Sequence, residues 1–125
     1  MAKKTRLRVV LCRGCCCGTP RAEAPGFDHR AQLRAIKGAI ANNPNAELKT
    51  VSCLNHCSRA NIVVLSGARA LRRPTWLGDM VEPQANKELC AWIASGAQDE
   101  LPDTVAAHEM DPREPEYSTR HDGAR

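Results

Sequence analysis

Aromatic side chains are nearly missing from this sequence: two Trp, one Tyr and one Phe, 3 % of 125 residues. Its core must therefore be built from Val, Ile, Leu and Ala around the two tryptophans, and a surface that binds single-stranded nucleic acid by base stacking is excluded. Long apolar runs are missing too. None approaches the roughly 18 residues of a membrane-spanning helix. The N-terminal stretch MAKKTRLRVVLC is charged and carries only a short apolar run, too short for the hydrophobic region of a signal peptide. The expected location is cytoplasmic, with neither membrane nor nucleic acid among the partners. The length suits one small domain with a tail.

What the chain has in quantity is cysteine. There are seven, and six fall in two clusters: Cys12, Cys15, Cys16 and Cys17 in LCRGCCCGT, and Cys53 and Cys57 in SCLNHCS. Counting from the outer residues of the first cluster, the spacing is C-x4-C, then 35 residues, then C-x3-C. In a reducing compartment such a set points to metal binding or redox chemistry rather than structural disulfides, and an odd count agrees.

Each cluster follows an aliphatic, β-branched run, residues 7–11 and 48–52, and an amphipathic helical pattern lies between them. Asp28 is a good N-cap, Leu33, Ile36 and Ile40 recur at helical spacing, and Asn42-Asn43-Pro44-Asn45 ends the helix near residue 41. A β-α-β unit makes its two strands parallel, so both strand ends, and with them Cys12 and Cys53, arrive at one edge of the sheet. Residues 61–65 read as a third strand and residues 74–77 as a fourth, joined through the Arg-rich stretch 69–73 as a hairpin. Pro83 starts a second helix that runs to about residue 95, with Ala85, Leu89, Trp92 and Ile93 on one face, and Gly96 stops it. The order β-α-β then β-β-α predicts an α/β fold with a thioredoxin-like core: a mixed four-stranded sheet with one helix on each side or end. Residues 1–96 form this domain. Residues 97–125, with three prolines among many charges, read as a tail with at most a short helix near residues 102–110.

The formal charge of +4 is unevenly spread. Residues 97–125 hold eight acidic and three basic residues, a net of −5, which leaves +9 on residues 1–96. The basic residues are dispersed, which argues against nucleic acid. They would offset a negatively charged metal cluster and guide an acidic partner.

Three chemistries compete for the clustered thiols. Four converging thiolates suit a 2Fe–2S cluster or a tetrahedral zinc ion, and both short spacings lie within the zinc-knuckle range. The third is thiol–disulfide exchange, since Cys12-Arg13-Gly14-Cys15 is a C-x-x-C after a strand. That motif needs a helix N-terminus to lower the first thiol's pKa, and Gly14, Gly18 and Pro20 prevent a helix there. His56 beside Cys57 could suggest a Rieske-type site, but such a site needs two histidines on one iron. It reads better as an exposed loop residue. Cys90 falls beside the apolar face of the second helix, as a buried structural cysteine does. Trp76 and Trp92 read as core or subunit-contact residues, and Arg13 and Arg59 flank the clusters.

The full pattern resembles the thioredoxin-like 2Fe–2S ferredoxins over roughly residues 6–96. CLNHCSRANIVVL is similar to that family's second cysteine loop running into its third strand, and TWLGDM to its fourth strand. LCRGCCCGT with GFDHRAQL further resembles small actinobacterial-type 2Fe–2S ferredoxin-domain proteins. The resemblance implies a one-electron carrier rather than an enzyme, with a 2Fe–2S cluster held by Cys12, Cys17, Cys53 and Cys57. It also implies redox partner proteins, a reductase or an oxygenase, and a homodimer to which the hairpin carrying Trp76 contributes. Any of Cys15, Cys16 and Cys17 could be the second ligand. Where the family often has proline, four residues after the last ligand, this chain has Asn61. A zinc-stabilised or thiol-redox regulatory module is the alternative.

Overall fold

In the computed structural model, residues 7–13, 26–52 and 59–113 are described. The elements in chain order are β1 (Leu7–Cys12), α1 (His29–Ala41), β2 (Ala46–Val51), β3 (Val63–Ser66), β4 (Thr75–Leu77), α2 (Pro83–Ala94), α3 (Asp103–Ala106) and β5 (Glu109–Met110). The strands form one sheet in the order β2-β1-β3-β4-β5. β1 pairs with β2 in parallel, as a helical crossover requires, and the remaining pairs are antiparallel.

The alternation of β1 explains its central place. Leu7, Val9 and Leu11 face one side with Val63, Leu65 and Leu77 of the neighbouring strands. α1 covers that side with Ile36 and Ala39, and α2 with Ala85, Leu89, Trp92 and Ile93. The Asp28 carboxylate caps α1, accepting from the Ala31 N–H at 2.9 Å, which satisfies one of the free donors of its first turn. At the other end the buried Asn43 donates to the Ile93 carbonyl at 3.0 Å and so ties the end of α1 to the end of α2.

Two expectations are corrected. Both long helices cover the same face, where one helix on each side or end was expected. The opposite face carries a smaller apolar row, Val10, Val64, Trp76 and Met110, in register across four strands. The sheet also has five strands, not four. β5 comes from the stretch expected as a tail, and a two-residue strand is too short to show alternation. Residues 97–113 pack on the domain: Val105 of the short α3 is fully buried in the main core, and Trp92 Nε1 donates to the Asp99 carbonyl at 2.7 Å. Among the described residues no helix is long and apolar enough to cross a membrane.

Candidate metal centre

Parallel pairing aligns Cys12 with Val51, so β1 and β2 end side by side. Cys12 is the last residue of β1 rather than the first beyond it. Its N–H donates to the Ile62 carbonyl at 3.1 Å, and the Arg13 N–H donates to Val51 at 2.7 Å. The backbone on both sides of the sulfur is thereby held in the sheet. Cys12 is 4 % exposed, among Ala60, Ile62 and Val64. Its Sγ lies 3.9 Å from the carbonyl oxygen of Ser52, the residue that precedes Cys53 in the chain. A buried sulfur at a strand end is a soft donor that suits iron or zinc.

Both long helices start at this edge. The Arg13 guanidinium donates to the His29 carbonyl in the first turn of α1 at 3.0 Å, and Gln32 of that turn donates to Asn86 in the first turns of α2 at 2.8 Å. Their positive dipole ends therefore lie on the side where the parallel strands finish, which is where open α/β sheets place ligands, and they favour negative charge there.

A buried amide network spans the same region. Arg13 also donates to the Cys12 carbonyl at 3.1 Å and to Gln32 Oε1 at 2.7 Å. Asn61 donates through Nδ2 to Gln32 Oε1 and to His29 Nδ1, each at 2.9 Å. Asn61 thus occupies the position where the resembling family often has proline, and it is fully buried. Arg59, two residues after Cys57 in the chain, pairs with Asp79 at 2.6 Å. Cys90 packs half-buried against the main core, and burial pushes its thiol pKa up.

Cys15, Cys16, Cys17, Cys53, Cys57 and His56 lie outside the described residues. Cys12 is thus the one member of the expected ligand set whose surroundings are described. Among the described residues no three or more His, Cys, Asp or Glu side chains gather as a metal site. Gln32 and Asn86 were not singled out from sequence. The spacing of Gln32, Ile36 and Ala39 marks Gln32 as inward-facing on α1, but nothing in it names the partners.

No protein-family model matches the chain, and no curated protein does. Among solved structures, the chain is similar to a thioredoxin-like [2Fe-2S] ferredoxin from Aquifex aeolicus, with a TM-score of 0.55 and 17 % identity over 89 % of this chain and 96 % of that one. A crystal structure of the wild-type thioredoxin-like [2Fe-2S] ferredoxin from the same organism aligns with a TM-score of 0.55 and 16 % identity over 86 % of this chain and 98 % of the other. At that identity the likeness concerns the path of the backbone: the chain is an α/β protein of thioredoxin-like fold.

Proposed function

We propose that this chain is a one-electron carrier that holds a 2Fe–2S cluster through Cys12, Cys17, Cys53 and Cys57 and has no substrate chemistry of its own. The observation that carries the reading is the pairing of Cys12 with Val51 and the contact of Cys12 Sγ with Ser52. The chain enters both cysteine loops from adjacent points on one sheet edge. The likeness in fold to ferredoxins supports the same reading.

A bound cluster supplies a one-electron couple that leaves its ligands in place. The protein's part is then to hold the thiolates still and to balance charge. The sheet bonds on either side of Cys12 serve the first purpose. The two helix N-termini and Arg13 serve the second. Ala60 and Ile62 beside Cys12 keep water from that sulfur. The partners are redox proteins, a reductase or an oxygenase in the cytoplasm. The hairpin carrying the partly buried Trp76 would supply the contact of a homodimer.

Anaerobic purification, followed by a visible spectrum and analysis for iron, sulfide and zinc, tests the reading. Two irons and two sulfides per chain with charge-transfer absorption are expected. A colourless protein holding one zinc per chain, even after reconstitution with iron and sulfide, would overturn it in favour of a zinc-stabilised module.

A further inference from the structure

We infer that Gln32 is a positioning residue for the metal centre: a buried amide that ties the chain entering the first cysteine loop to the chain leaving the second. The inference rests on the reading that Cys12 and the loop cysteines hold a metal. Gln32 lies in the first turn of α1 and is 3 % exposed. Its oxygen accepts from Arg13 Nη2 at 2.7 Å and from Asn61 Nδ2 at 2.9 Å. Its nitrogen donates to the Met80 carbonyl and to Asn86 Oδ1, both at 2.8 Å. A carboxamide has two acceptor sites and two donors, and all of them are used.

The partners matter more than their number. Arg13 directly follows Cys12, and Asn61 comes four residues after Cys57. Met80 and Asn86 bring in the start of α2, since Asn86 Nδ2 itself donates to the Met80 carbonyl at 3.2 Å and the Glu82 carbonyl at 2.9 Å. One side chain thus connects the chain beside the first cysteine, the chain after the last one, and the helix that starts at the same edge. A saturated buried network is rigid, and each member is expensive to leave unpaired. Gln32 therefore holds Arg13 and Asn61 at a fixed separation before any metal arrives. Residues in such outer-shell positions typically change metal affinity by about 10–100-fold when removed.

A purely structural role for Gln32 would leave metal affinity no more affected than loss of any other buried amide. Asn43 supplies the control. It is equally buried at 4 % and bonds to the Ile93 carbonyl and the Asn45 N–H, but it sits at the opposite end of the helices, by the start of β2. Cobalt(II) titration of reduced full-length apoprotein reads how well the thiolates are pre-placed, whatever the native metal is. Gln32→Leu should bind cobalt about tenfold more weakly than Asn43→Ala, compared at temperatures equally far below each variant's melting point. Asn61→Ala, which removes the arm from the second loop together with its bond to His29 Nδ1, should weaken binding in the same direction and decides the matter if Gln32→Leu does not fold. Equal cobalt affinity in the Gln32 or Asn61 variant and the Asn43 variant would overturn the inference. Wild-type protein that binds cobalt but assembles no iron and sulfide would refute the ferredoxin reading and leave this comparison intact. Wild-type protein that binds no cobalt would overturn the inference, while its iron and sulfide content decides the ferredoxin reading separately.

Discussion

Val105→Ala offers a direct test of whether residues beyond 96 are part of the folded body. Val105 is fully buried in the main core, in a helix of only four residues. The substitution removes two methyl groups at about 0.8 kcal/mol each, and incomplete collapse of the cavity adds to that loss. Better helix propensity of Ala returns about 0.5 kcal/mol. The net expectation is a destabilisation of about 1.5–2 kcal/mol, or a fall in melting temperature of about 5–8 °C for a chain of this length. Urea unfolding followed by circular dichroism gives the free energy. Fluorescence of Trp92, whose indole N–H bonds to Asp99, reports on the packing of residues 97–102 against α2. Both proteins must be compared in the same metal state, since bound metal adds to apparent stability. A change under about 0.5 kcal/mol, the range of an ordinary surface substitution, would refute the packing of α3 and return residues 97–113 to the status of a tail.

Cys12→Ser, Cys53→Ser and Cys57→Ser should each abolish or severely reduce the cluster absorbance, while Cys90→Ser, Cys15→Ser and Cys16→Ser leave it; retention in Cys17→Ser with loss in Cys16→Ser would move the second ligand to Cys16. Gly38 is exposed in the middle of α1 with open space around its Cα, so Gly38→Ala should stabilise by roughly 0.5–1 kcal/mol. Gly96 follows α2 at φ +112° with ordinary contact distances around it, so Gly96→Ala should destabilise by about 1–2 kcal/mol through backbone strain; denaturant midpoints of opposite sign check the pair. Burial holds the Cys90 thiol protonated above the ordinary range of about 8.5, so its contribution is complete below that pH and declines as pH rises towards the folded value. Cys90→Ala should therefore flatten the alkaline fall in stability, and an unchanged slope would show that Cys90 does not cause it.

The path of the chain was legible where local signals and packing agree. Asp28 caps α1, α1 ends at Ala41, Pro83 begins α2, and Ala85, Leu89, Trp92 and Ile93 form its inward face. Each is stated by neighbours within a few residues. The placement of both helices on one face was not legible, because an amphipathic pattern says which side of a helix is buried but not which side of the sheet receives it. β5 was hidden for a different reason: Met110 is held by its pairing with Trp76, a contact between distant parts of the chain. At the site, parallel pairing follows from the crossover, so the meeting of the ends of β1 and β2 at one edge could be read from sequence alone. The amide network could not. Gln32, Asn61 and Asn86 are ordinary surface residue types, and their burial makes sense only once all three are adjacent.

The central claim is that this chain carries one electron. Stepwise reduction of the anaerobically purified full-length protein with a titrated reductant, followed by visible bleaching and electron paramagnetic resonance, measures it most directly. Uptake of one electron per chain is expected, with partial bleaching and a paramagnetic signal that integrates to one spin for every two irons. Consumption of two electrons per chain with the appearance of free thiols, or no uptake by a zinc-containing protein, would contradict it.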